Sequence, residues 1–321
     1  MINLILTHIE PSAIGVIYTD SNEKSHRVFV RRNGEVILSA GAIGSPQLLL
    51  LSGVGPYSYL SSLHIPIVQS QSNVGKFMFD NPRNAVTLKS PFPVEISPVQ
   101  TVGITNNYYI QGVSSLENSS SLANWSVGTI AEKVPGPLSR GSLRLNSSIG
   151  VRVSPCVRFN YFANPVDLSK YVSGMRKIGE MLNTKTMDQF KFEDSNGARS
   201  GSLLSKHSGD DTSLSRRVGK VVNGNFRVKG IDSLRVVDGS TFTTTPGTNP
   251  QATVMMLGRC CGKEEKGSRA LRCTSMSLQV SIEHIWTNSM IADPLTRGLL
   301  PKAFHKHTAH VGVVLFNDVR V

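Results

Sequence analysis

Residues Glu35 to Gly55 (EVILSAGAIGSPQLLLLSGVG) have the types and spacing for cofactor chemistry. Gly41 and Gly44 permit a tight backbone turn and let another molecule approach the main chain. Ser45 is placed to cap a helix that opens with Pro46, runs from Gln47 to Leu51 and ends at Gly53. A helix opening straight after a glycine turn presents unpaired N–H groups and the positive end of its dipole, which suits an anionic cofactor. Asn249 and Pro250 repeat the device, with Asn249 as cap and a helix running to about Gly258. Metal chemistry has less to work with. Cys156, Cys260, Cys261 and Cys273 give no CxxC pair and no zinc-ligand spacing, and the adjacent Cys260 and Cys261 cannot easily bond each other.

These turns need strands to carry them. Val36, Ile37 and Leu38 form a short apolar run suited to a buried parallel strand, and Leu234 to Val237 form another. Before the first lies a meander. Its strands are Ile14 to Tyr18 and Arg27 to Val30, joined by a turn at Asp20 to Glu23, and Asn33-Gly34 is a type I′ hairpin signal leading into Val36. Residues 56–82 mix loop and helix, and Pro91, Pro93 and Pro98 divide the next region. Ser114 to Ser121 and Ser195 to Ser215 read as loops. Asp167 to Asn183 is the clearest helix. Leu168, Tyr171, Val172, Met175, Ile178, Met181 and Leu182 recur at helical spacing as a core-packing stripe.

The chain has 321 residues, 39% of them hydrophobic and 17% charged, which is a globular composition. Net charge is +12 and pI about 9.7. The basic residues are scattered in short pairs such as Arg31-Arg32 and Arg216-Arg217, so a solvated basic surface is expected and no nucleic-acid partner. No run is long enough to span a membrane. MINLILTHIEPS lacks the features of a signal peptide, although Asn118, Asn124 and Asn146 each begin a glycosylation sequon.

Together EVILSAGAIGSPQLLLLSGVG, EKVPGPLSRGSLRL (Glu132 to Leu145), FNYFANPVDL (Phe159 to Leu168) and LRVVDGSTFTTTPGTNPQATVMMLGR (Leu234 to Arg259) resemble the glucose–methanol–choline (GMC) flavoprotein oxidoreductases. The match is to the plant HOTHEAD-like and mandelonitrile-lyase-like branch, over about residues 1–262. The resemblance implies an α/β (α+β) fold. Residues 1–85 and 215–262 would form part of an FAD-binding domain, and 86–214 an antiparallel-sheet substrate domain. It implies FAD as cofactor and an alcohol or a cyanohydrin as substrate. Ala40, Gly41, Asp238, Gly239, Asn249, Pro250 and Gln251 would contact the flavin, and Asn249 would hold the second catalytic position by hydrogen-bonding the substrate oxygen. Plant members usually enter the secretory pathway.

Two family features are missing from the sequence. The GxGxxG fingerprint that would hold the ADP half of FAD is absent. The WHYHGGC-like segment with the first catalytic histidine is also absent, since Asp211 to Arg217 runs directly into Val218-Gly219-Lys220; His207 reads as a surface-loop residue. A chain with no catalysis is therefore expected, against the alternatives of a working oxidoreductase, a hydroxynitrile lyase and a nucleic-acid binder. Buried strands left without neighbours would also expose apolar surface and lower solubility. Beyond Gly262, KEEKGSR reads as a linker. IEHIWTNSMIADPLTRGLLPKAF then resembles the end of a copia-type retrotransposon polyprotein, in a loose tail over 263–321. A metal site from His305, His307 and His310 is the weaker alternative to a loose, poorly packed tail, and no metal is expected.

Overall fold

The computed structural model describes residues 2–117, 125–193, 199–200, 203–206, 221–245 and 249–264. The chain divides into two compact units, Met1–Pro250 and Gln251–Val321. The described part of the second is a helix, α5, over Gln251–Glu264. It starts one residue later than expected, and it continues past Gly258 to Lys263 and Glu264, the first two residues of the stretch expected to be a linker. The retroelement-like tail, Cys273, His207, the segment 211–220 and the sequons at Asn118 and Asn124 lie outside the described residues.

The first unit opens with an antiparallel sheet of β1 (Ile2–Leu6), β2 (Ala13–Thr19) and β3 (Ser25–Phe29). The chain then leaves that sheet. β4 (Val36–Leu38) pairs in parallel with β17 (Leu234–Val236), in the register Val36↔Leu234 to Leu38↔Val236. The Asn33-Gly34 hairpin is therefore a correction. Asn33 alone turns left-handed, at φ 62°, whereas a type I′ turn needs positive φ at both central residues. β3 and β4 thus part instead of pairing. Glu35 holds β4 to its distant partner, accepting from Arg235 Nε at 2.5 Å and pairing with Arg227 Nη2 at 2.5 Å.

Helix α1 follows β4 over Gly41–Leu51, five residues ahead of the expected start at Pro46. Pro46 lies inside the helix, and Ser45 does not cap it. At the other end Gly53, with φ +80°, terminates the helix as expected. Leu48, Leu49 and Leu50 are buried in the main core together with Leu4, Leu38, Leu234 and Val236. β5 (Val54–Gly55) pairs with β6 (Gln69–Ser70) around the short α2 (Tyr57–Ser62), and β7 (Lys76–Met78) joins β12 (Gly141–Arg144) and β13 (Cys156–Arg158).

A second layer is a five-stranded antiparallel sheet. Its order is β16 (Leu203–Lys206), β8 (Arg83–Ser90), β11 (Trp125–Lys133), β10 (Tyr109–Glu117), β9 (Ser97–Ile104). Two expected loops are corrected here. Ser114 to Glu117 continues β10, paired with Trp125 to Gly128, because a full ladder of backbone partners outweighs the turn preference of serine. Leu203 to Lys206 likewise forms the edge strand on β8. β14 (Phe192–Glu193) and β15 (Arg199–Ser200) make a small ribbon.

Helix α3 (Pro165–Leu182) lies on this sheet, capped by Asn164, whose side chain accepts from Val166 N at 3.0 Å; a short α4 (Lys185–Asp188) follows. The helix is where expected, but only part of its apolar stripe packs on the sheet. Asp167, Gly174 and Ile178 are the buried residues, whereas Leu168 is 46% exposed and Val172 and Met181 are each 37% exposed. A glycine lets the helix approach the sheet closely along a narrow line, so Ile178 is covered, Tyr171, Met175 and Leu182 are half-buried, and the other three residues of the stripe stay outside the contact.

Candidate functional site

Both parallel strands end at residues singled out in the sequence. β4 leads into Ala40 and Gly41, and β17 leads into Asp238 and Gly239. Ligands of α/β sheets bind beyond the carboxyl ends of parallel strands. Here those ends are locked by one buried carboxylate, on a residue only 4% exposed. Asp238 Oδ2 accepts from Ser45 Oγ at 2.5 Å and from Gly41 N at 3.1 Å. Its Oδ1 accepts from Ser240 N at 2.8 Å, capping the single 3₁₀ turn Gly239–Thr241. Ser45 Oγ also accepts from Ala40 N at 3.1 Å. The role expected of Ser45 is thus replaced by another, since it joins the start of α1 to Asp238. Ser39 Oγ donates to Val237 O at 2.9 Å alongside.

Two details leave room for a ligand at this clamp. Gly41 has φ +79°, and a Cβ built there would meet nothing within 4 Å. Ser240 Oγ is buried and has no hydrogen-bond partner among the described residues. The arrangement offers a helix start, open main chain and an uncommitted hydroxyl, which is the donor set an anionic group requires.

Asn249 lies elsewhere. No hydrogen bond ties it to the Asp238 group among the described residues. Instead its Oδ1 accepts from Lys133 Nζ at 2.6 Å. Lys133 is 1% exposed and sits at the end of β11, with Nζ 5.9 Å from the Tyr109 ring centroid. Sequence reasoning missed Lys133. The available signal was its place in TIAEKVPGP, where a charged pair closes an apolar strand and period-2 alternation sends its two members to opposite faces. Pro250 follows Asn249, and Gln251 is the first residue of α5.

The other member of that pair, Glu132, points toward α3. A Cβ built on Gly174 would come within 2.5 Å of Glu132 Oε1. Glu132 is 0% exposed, and neither carboxylate oxygen has a hydrogen-bond partner among the described residues. Burial alone pushes its carboxyl up to about 8. Close by, Asp167 fixes the PGPLS loop, accepting from Leu138 N at 2.9 Å, Ser139 N at 2.7 Å and Ser139 Oγ at 2.5 Å. Asp80 accepts from the Tyr161 hydroxyl, and burial with that contact raises the phenol well above its ordinary range. Among the described residues no group of three or more His, Cys, Asp or Glu could hold a metal ion, and no helix is long and apolar enough to cross a membrane.

Family models described as GMC oxidoreductase match residues 2–83 and 137–258. The chain belongs to the GMC oxidoreductase family. It is 49% identical to (R)-mandelonitrile lyase 1 of Prunus serotina over 78% of this chain and 50% of the lyase. It is 43% identical to sinalpyl alcohol oxidase Nec3 of Nesocodon mauritianus over 81% of this chain and 52% of that enzyme. With Protein HOTHEAD of Arabidopsis thaliana the identity is 34%, over 81% of this chain and 56% of that protein. The chain therefore spans about half the length of the curated relatives it matches. Among solved structures, pyridoxine 4-oxidase from Mesorbium loti superposes with a TM-score of 0.64 at 18% identity, over 83% of this chain and 57% of that one. A formate oxidase of Aspergillus oryzae, studied for modification of its FAD, gives 0.67 at 18% over 83% and 59%. The fold is the mixed α/β architecture of this family, as expected.

Proposed function

We propose that this chain carries the flavin-facing part of a plant-type GMC oxidoreductase that acts on a small alcohol or cyanohydrin, and that it is catalytically impaired as it stands. The observation that carries the cofactor assignment is the Asp238 clamp. It sets Ala40, Gly41 and Gly239 beyond the carboxyl ends of two parallel strands, at a helix start, with open space at Gly41. The residues present fit FAD. The open backbone at Gly41 would let its anionic half approach the start of α1, Ser240 Oγ would gain the partner it lacks, and Asn249 and Pro250 would face ring and substrate. When bound, the flavin supplies the hydride acceptor. The chain's own part is to hold the substrate oxygen at Asn249 and to remove its proton.

The second task is the one this chain cannot perform. An amide side chain donates and accepts hydrogen bonds but does not titrate near neutral pH, so Asn249 can position a hydroxyl without taking its proton. In support, the stretch aligned with HOTHEAD runs over 332 positions, more than the 321 residues of this chain. Relatives therefore carry internal residues lacking here, in keeping with the lost histidine segment before Val218.

The visible spectrum of the purified chain, taken after incubation with FAD and desalting, tests the cofactor assignment. Retained flavin absorbance that disappears in Asp238→Ala is expected, and a colourless wild-type chain would overturn it. Flavin reduction on adding benzyl alcohol or mandelonitrile would overturn the impairment.

A further inference from the structure

A lysine amino group carries donors only. The amide atom facing Lys133 Nζ at 2.6 Å must therefore be the oxygen of Asn249, whichever way the amide is drawn. Lys133 itself has little freedom, being 1% exposed and anchored on β11 with its stem beside Tyr109. Asn249 is exposed and would otherwise turn its amide freely. The buried partner thus sets the exposed one, with Oδ1 held inward and Nδ2 turned outward as donor. Nδ2 makes no hydrogen bond among the described residues.

We propose that Lys133 is a positioning residue that fixes Asn249 as a hydrogen-bond donor, so that the pair receives an acceptor oxygen. The favoured ligand class is a carboxylate or carbonyl compound, ahead of the corresponding alcohol. A carboxylate meets the Nδ2 donor with a charge that Lys133 complements, and charge-assisted bonds are roughly twice as strong as neutral ones. An alcohol can also accept from Nδ2, but it brings no negative charge for Lys133 to complement, and its own proton must share Oδ1 with the Lys133 ammonium. This inference rests on the preceding section only in taking Asn249 to face the ligand.

Fluorine NMR titrations of the full chain with para-fluorobenzoate and para-fluorobenzyl alcohol test it. Saturable binding of the benzoate is expected, about tenfold tighter than the alcohol. Lys133→Met should weaken benzoate about tenfold or more. Asn249→Asp keeps a partner for Lys133 and so guards against simple unfolding. It should invert the preference, because a carboxylate accepts from a hydroxyl and repels benzoate. A merely structural lysine would leave that order unchanged. The proposal is overturned if wild type binds no benzoate, if Lys133→Met binds it as wild type does, or if Asn249→Asp keeps the wild-type order. Flavin colour, read from the same samples, reports separately on the cofactor assignment.

Discussion

Asp238 and Glu132 are both buried acids, 4% and 0% exposed, and each lies where two elements meet. Asp238 accepts three hydrogen bonds, from Ser45 Oγ, Gly41 N and Ser240 N, and so fastens α1 to the end of β17. Glu132 accepts none among the described residues, and α3 passes over it at a glycine. Asp167, in the first turn of α3, repeats the Asp238 pattern with three donors of its own. A carboxyl group met by three donors acts as a joint between the elements that supply them. A carboxyl met by none keeps its proton, and its site becomes sensitive to pH. The strand-end clamp is thus built to hold position, while the sheet beneath α3 contains a group that titrates.

Breaking the joint should have the largest effect. Asp238→Ala strands the Gly41 and Ser240 donors and is expected to cost about 3–4 kcal/mol in urea unfolding, with Asp238→Asn costing about half as much. An Asp238→Ala chain of wild-type stability would erase the distinction from Glu132. The pH profile follows. The carboxyl of Glu132 is raised from its ordinary 4.5 to about 8, so folding favours its protonated form. Its contribution is full below about 4.5 and is lost as pH rises toward 8. Denaturation midpoints should therefore fall across that window in wild type and flatten in Glu132→Gln, which cannot ionise. Equal slopes in the two chains would show that Glu132 has a partner after all.

A smaller effect concerns the close approach itself. Gly174→Ala puts a methyl group against the Glu132 side chain and is expected to cost about 1–2 kcal/mol, less when combined with Glu132→Ala. Additive losses in that cycle would separate the two residues. Last comes the exposed Lys177–Glu180 pair at 2.9 Å, whose side chains are 52% and 67% exposed. Lys177→Ala should leave the thermal midpoint unchanged within error, since solvent screens such pairs.

Most of the strand-end site was legible because its signals are local. Val36 to Leu38 and Leu234 to Val237 are apolar runs, and glycine turns follow both. What escaped is what depends on residues far apart. Ser45 looks like a helix cap within its own segment, and only Asp238 across the fold shows its actual use. Asn33-Gly34 carries the composition of a hairpin, but β4 has a stronger partner in β17. The apolar stripe on α3 fixes the period of the helix and not its contact line, which a glycine chose instead. Lys133 gave least warning, because nothing near Glu132-Lys133 in sequence reveals that Asn249 will lie against it.

The parallel register of β4 with β17 also governs the order of events during synthesis. Ser39 and Val237, joined by a hydrogen bond, lie 198 positions apart. At about 5–20 residues per second, the second strand emerges roughly 10–40 s after the first. Throughout that interval α1 has no Asp238 to receive its first N–H, and Leu38 lacks the ladder that will cover it. All five strands of the antiparallel sheet, the last of them β16 ending at Lys206, precede β17 along the chain. The nascent chain therefore waits with one layer paired and the strand–helix element before it still open. Any interruption of synthesis between residues 207 and 233 would release a protein with every strand of that sheet and no second parallel strand.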